Sequence, residues 1–178
     1  MTRRRRLVAA WVLILLVATA CTTSLAGGGS GSIAMVPFTS EELRIRGVVP
    51  LVCRHTYPGN FECEGLTPDQ RPAAIVQQSL PGTRIELVAL LLDQVGLEQL
   101  PESTGSYKGV AFTWDLYTFE TQIKDAGPET FRVDSALAEG DSASYVVALV
   151  TLPDVYDANA ALYETAFTHV AYALAPLE

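Results

Sequence analysis

The stretch TFRVDSALAEGDSASYVVALVTL, residues 130–152, decides the fold. Two runs of apolar and small residues, Thr130 to Ala138 and Ala143 to Leu152, flank Glu139-Gly140-Asp141-Ser142, a group of turn formers. That pattern is a β-hairpin. Upstream, Val110, Phe112, Trp114 and Leu116 alternate with polar positions, while Tyr117 and Phe119 fall on the opposite face, so a third strand is partly buried on both sides. Lys124-Asp125-Ala126-Gly127-Pro128 turns that strand into the hairpin and completes a three-stranded antiparallel meander. Downstream, Pro153-Asp154 ends the sheet and offers an N-cap. Tyr156, Ala160, Tyr163, Phe167, Val170 and Leu174 then recur at steps of four and three, which puts all six on one stripe of a helix that must pack on the sheet.

The residues before the meander supply more strands and one more helix. Glu42 to Val49 has strand alternation, closed by Pro50, and a second strand starts at Leu51. Tyr57-Pro58-Gly59-Asn60 places Pro and Gly at the central positions of a type II turn, with Phe61 to Glu64 as the return strand. Thr67-Pro68-Asp69-Gln70 resembles a capping box, but Pro72 would remove a helical hydrogen bond, so a single turn leading into a strand from Ala73 to Leu80 is expected. Pro81-Gly82 stops that strand. Thr83 and Glu86 form a capping box ahead of IELVALLLDQV, with Gly96 placed as the C-terminal cap. The expected fold class is α+β, an antiparallel sheet of about six strands with two packed helices.

The amino terminus is of another kind. Arg3 to Arg6 precede Leu7 to Ala20, which carries no charge, and as a helix that run would reach roughly 21 Å, short of the roughly 30 Å hydrocarbon core. Residues 1–20 therefore read as a cleaved signal peptide, with small residues Ala18 and Ala20 before the cut. Arg4-Arg5-Arg6-Leu7-Val8 also partly matches a twin-arginine signal, though a plain positive n-region accounts for it. Residues 22–32, TTSLAGGGSGS, have too little apolar surface to fold and are expected to be a flexible tether. A single domain of residues 33–178 follows, large enough for one buried core.

Ala18-Thr19-Ala20-Cys21 resembles a bacterial lipobox. The resemblance implies cleavage before Cys21, a diacylglyceryl group on its sulfur, and anchoring of residues 21–32 to a membrane outside the cytoplasm. Cysteine parity supports it: with Cys21 acylated, the three cysteines leave Cys53 and Cys63 as an even pair. The element order resembles the PsbP-like α/β sandwich, a domain type of exported bacterial lipoproteins and of the photosystem II extrinsic subunit. The resemblance is carried by Phe38 to Pro50, by Gly109 to Tyr117 with Trp114, and by the strand plus amphipathic helix from Tyr145 to Leu174. Its members mostly bind or support other proteins, which implies a non-enzymatic role.

Charge narrows the partners. The precursor has 12 basic and 20 acidic residues, and loss of Arg3 to Arg6 leaves 8 basic residues, a net of about −12. Such a surface is repelled by nucleic-acid phosphates and by anionic headgroups, so nucleic-acid binding is not expected.

Cys53 and Cys63 flank the Tyr57 to Asn60 turn at nearly equal distances, so a disulfide is expected, closing a loop of about ten residues and contributing roughly 2 to 3 kcal/mol. The alternative is a metal site of Cys53, His55 and Cys63, with Glu62 or Glu64 as a fourth ligand, since Cys53 and His55 share a strand face. His169 falls about 220° from Tyr156 on the helical wheel, away from the apolar stripe, and is expected at an edge or in solvent. The pairs Glu62/Glu64 and Glu139/Asp141 specify no acid–base chemistry. Trp114, Tyr117 and Phe119 read as core. There is no GxSxG elbow or P-loop, Gly105-Ser106 lies in a Ser/Thr/Gly-rich loop, and no cofactor is implied. The functional expectation is a membrane-anchored extracytoplasmic lipoprotein with a non-enzymatic binding or scaffold domain, whose partner is an envelope protein or small ligand. The competing expectation is an extracytoplasmic enzyme or metal-binding protein centred on Cys53, His55 and Cys63.

Overall fold

In the computed structural model, which describes residues 33–63, 73–123 and 127–177, the sheet is built around a strand buried along nearly its whole length. In chain order the elements are β1 (Met35–Ser40), β2 (Ile45–Pro50), β3 (Cys53–Tyr57), β4 (Asn60–Cys63), β5 (Ala73–Pro81), α1 (Arg84–Val95), β6 (Gly105–Lys108), β7 (Thr113–Thr121), β8 (Phe131–Glu139), β9 (Ala143–Thr151), α2 (Pro153–Ala158), α3 (Ala160–Ala173) and β10 (Ala175–Pro176). They form a seven-stranded sheet, β3-β4-β5-β9-β8-β7-β6, and a three-stranded sheet, β1-β2-β10, with every pair antiparallel.

The α+β class and the meander β7-β8-β9 agree with the sequence reading, while the element counts do not. Seven strands share the main sheet where about six were expected, and three described helices replace two. Strand β1 escaped notice because Pro37 interrupts its alternation. As the edge partner of β2, however, it can spare the missing N–H. The Ser/Thr/Gly-rich loop at Gly105-Ser106 is likewise β6, an edge strand whose only large apolar residue is Tyr107 and which exists because β7 offers it a ladder. The single last helix is broken at Asn159, whose φ of −138° is not helical. Its side-chain amide donates to the Val155 carbonyl at 3.2 Å, a side-chain bond to backbone that competes with helix continuation.

Alternation along the strands fills two cores. Trp114, Ala136, Tyr145, Val147 and Leu149 point to the face covered by α2, α3 and the small sheet, where Ile45, Tyr163, Val170 and Leu174 are fully buried. Tyr117, Val133, Leu137, Val146 and Ala148 point to the other face, covered by Leu87, Leu91 and Val95 of α1. The expected aromatic group is therefore core, but divided, with Trp114 beneath one layer and Tyr117 and Phe119 beneath the other. Helix α1 starts as predicted: the Glu86 carboxylate accepts from the Thr83 N–H at 2.7 Å, and Gly96 ends the helix in the left-handed region at φ 66°. Buried Gln77 joins the two sheets by donating to the Val48 carbonyl at 3.3 Å. No described helix is long and apolar enough to cross a membrane.

Residues 1–20, Cys21 and the segment 22–32 lie outside the described residues, as do Glu64, the turn expected at 67–70 and residues 124–126.

Candidate functional site

The residues singled out from sequence lie at the β3–β4 hairpin. Gly59 has a positive φ of 76°, as the second central position of a type II turn requires. Cys53 and Cys63 are directly opposed, an irregularity between His55 and Tyr57 absorbing the uneven count on the two sides. Their sulfurs are 2.09 Å apart, at disulfide distance. His55, opposite Phe61, lies tilted against aromatic rings, its centroid 5.2 Å from that of Phe61 and 5.9 Å from that of Phe38. Glu62 accepts from Arg54 at 2.7 Å on an exposed surface. The four expected metal donors are thus divided: two sulfurs on each other, the imidazole among rings, the carboxylate on a guanidinium. Among the described residues, no group of three or more His, Cys, Asp or Glu could hold a metal ion. Glu139, at the end of β8, and Asp141, in the turn after it, are both exposed.

A cleft forms instead where α3 crosses the β6–β8 end of the sheet. It holds about 220 Å³ and is floored by Thr118, Arg132 and Asp134, with Tyr156 and Phe167 as walls. Strand alternation sends Arg132 and Asp134 to the same face, two residues apart. Arg132 donates through Nε to Asp134 Oδ2 at 2.9 Å and through Nη2 to Oδ1 at 3.0 Å, a two-pronged pairing that fixes both planes. Thr118 Oγ1 donates to the same carboxylate at 2.7 Å, and the guanidinium carbon lies 3.7 Å from the centre of the Tyr156 ring. Tyr156 in turn stacks on Tyr163 across the helix break, with centroids 5.6 Å apart. Beyond the break, Glu164 of α3 lines the cleft.

These contacts set the electrostatics. Burial opposes the positive charge on Arg132, but the hydrogen bonds and negative charge of Asp134 outweigh it and raise the guanidinium pKa. Burial pushes the Tyr156 phenol up, helped by the charges of Asp134 and Glu164 and opposed by Arg132. Beyond Tyr107, Glu164 and Thr168 the cleft widens into an open groove of about 590 Å³ edged by His169 and Tyr172. His169 therefore takes the edge position expected of it, half-buried beside this groove.

No family model matches the chain, and no curated protein matches it. Solved structures do. The Saccharomyces cerevisiae Ran-binding protein Mog1p superposes with a TM-score of 0.52 at 12% identity, covering 83% of this chain and 97% of its own. The chain shares the Mog1p fold. At that identity the likeness speaks to fold alone. Cyanobacterial PsbP (CyanoP) from Synechocystis gives 0.45 at 12% identity over 85% of this chain and 97% of its own. Protein PA94 of unknown function from Pseudomonas aeruginosa gives 0.45 at 15% over 75% and 94%. No inference rests on these two scores.

Within this Mog1p-like architecture, the cleft residues were missed by sequence reasoning, although one signal was present. Arg132 and Asp134 are the only charged residues between Thr130 and Ala138 in a strand otherwise made of apolar and small side chains. A charged pair on the inner face of a central strand needs a partner or a purpose. Thr118, Tyr156 and Glu164 carry no such mark, because only the tertiary packing of α2 and α3 beside this end of the sheet brings them together.

Proposed function

We propose that the chain is a membrane-anchored extracytoplasmic lipoprotein whose PsbP-like α+β domain binds an envelope protein or a small ligand and catalyses no reaction. One observation carries the binding reading: the polar groups flooring the cleft are already satisfied by one another. Asp134 accepts from Arg132 and Thr118, and Arg132 is covered by Tyr156. A floor neutralised and fixed in this way presents a shaped surface, which suits recognition. Cys53 and Cys63 at disulfide distance suit an oxidising compartment, and Cys21 supplies the anchor that the lipobox resemblance implies.

The test has two parts. Mass spectrometry of the amino-terminal peptide from membranes is expected to give acylated Cys21, and a native protein retaining Met1 would overturn the anchor. Capture from detergent-solubilised membranes is then compared between the wild type, Thr168→Arg, which plugs the cleft, and Ala89→Arg on the exposed side of α1. A species held by the wild type and Ala89→Arg but lost from Thr168→Arg is expected. Capture indifferent to Thr168→Arg would remove the cleft as the binding surface.

A further inference from the structure

The β1–β2 hairpin is polarised. At its closed end the turn carries Glu41, Glu42 and Arg44, and at its open end Met35 faces Pro50 while the Leu51 N–H donates to the Ala34 carbonyl at 2.7 Å. Two uncharged runs meet at the open end, residues 33–40, IAMVPFTS, and residues 47–53, GVVPLVC, with the exposed Arg54 and Glu62 pair following in β3 and β4. Within that tip Leu51 is 60% and Val52 46% exposed, two adjacent large apolar side chains held out into solvent. On a chain with a net charge of about −12 after loss of the leader, an uncharged end with exposed apolar residues is a local exception. It is also where the chain enters the fold, at Ile33.

Eleven residues, 22–32, separate Cys21 from Ile33. Even fully extended they span only about 40 Å, and as a Gly/Ser-type chain the average is about 15 to 20 Å. An acyl group on Cys21 would therefore hold this tip, before any other part of the domain, at the bilayer surface at high local concentration. There Leu51 and Val52 would leave water for the headgroup and acyl boundary. The strands of the hairpin are six residues long, so the Glu41-Glu42 end stands about 20 Å further out, away from anionic headgroups. We infer that the Ala34, Leu51 and Val52 tip is a lipid-contacting surface that seats the domain on the bilayer in one orientation. This rests on the proposed lipidation of Cys21 and adds to it a face and a direction.

The experiment uses the full chain, processed in a bacterial host and purified into phosphatidylethanolamine and phosphatidylglycerol vesicles carrying bromine on their acyl chains. Trp11 lies in the leader and Trp114 is fully buried, so an introduced Trp reports its own surroundings. Leu51→Trp is compared with Ile85→Trp and Val110→Trp, which replace side chains 79% and 65% exposed elsewhere on the domain. Bromine is expected to quench Leu51→Trp at least about twofold more than either control. An Ala34→Trp reporter is expected to be quenched likewise and to fall to the control level when Leu51→Ser and Val52→Ser are added, with the far-ultraviolet spectrum unchanged. Acylated Cys21 with equal quenching at all positions overturns the seated orientation alone. Absence of acyl mass on Cys21 overturns the anchor and the seating together.

Discussion

Asp134 is a carboxylate with only 10% of its side chain exposed, and Arg132 and Thr118 surround it with donors. Removing one member of such a pair costs more than the pair contributes, because the survivor keeps its desolvation penalty without its partner. Arg132→Ala is therefore expected to lower unfolding stability by about 2 to 3 kcal/mol, read as a shift of the urea midpoint at constant slope. The double change Arg132→Met with Asp134→Leu should recover most of that loss, since two apolar side chains leave no charge stranded. Tyr156 makes the same cleft sensitive to alkali. Its phenol is raised above the ordinary value of 10.0 by burial first, then by Asp134 and Glu164, so the folded chain keeps this proton where the unfolded chain releases it. The stability contributed by this group is fully present below about pH 10 and is lost as pH climbs through the folded value. Tyr145 and Tyr107 are raised mainly by burial and act in the same direction. Urea titrations at about pH 8 and about pH 11 should show this loss, and Tyr156→Phe should reduce it; an equal loss in Tyr156→Phe would shift the effect to the other tyrosines.

At the scale of elements, the β3–β4 hairpin depends on one glycine. Gly59 sits at φ 76°, and a Cβ built there would lie 1.8 Å from the Gln77 carbonyl oxygen, which belongs to the neighbouring strand β5. The backbone is in close contact at this point, because the Gln77 N–H donates to the Gly59 carbonyl at 2.6 Å. Gly59→Ala meets both the left-handed penalty and a backbone collision that no side-chain rotation relieves. It should cost at least about 1 to 3 kcal/mol and loosen hydrogen-exchange protection first in β4 and β5. A change confined to the hairpin turn, with β5 still protected, would show that the contact with Gln77 is not limiting. This glycine was legible from Tyr57-Pro58-Gly59-Asn60. Its collision partner was not, because Gln77 lies eighteen residues away and arrives only when β4 pairs with β5.

For the molecule as a whole, the two faces of the main sheet are covered by different means. Helix α1 closes one, while α2, α3 and the small sheet close the other, so the chain needs both ends to complete its second core. The Cys53 and Cys63 pair lies at disulfide distance at the β3 edge, where the proposed cross-link, of sequence separation 10, would restrain a hairpin on an edge strand. Reduction should destabilise the whole domain by roughly 2 to 3 kcal/mol, and thiol titration of the native protein should find neither cysteine free. Two titratable thiols accompanied by one bound zinc would revive the metal reading of Cys53, His55 and Cys63. The Mog1p likeness spans 83% of this chain and 97% of that one, so the two share a fold at low identity.

Local chemistry in the sequence was enough to determine the α+β class, the meander, the capping of α1 and the opposed cysteines, because alternation, turn residues and caps act over a few neighbours. What composition hid was decided by tertiary partners: β1 and β6 became strands at sheet edges by borrowing a ladder from β2 and β7. The break at Asn159 and the cleft of Thr118, Arg132, Asp134, Tyr156 and Glu164 likewise depended on where α3 crosses the sheet. Period and propensity describe one element at a time, whereas a binding surface is made of side chains from several, and their meeting is fixed by packing over long sequence separations.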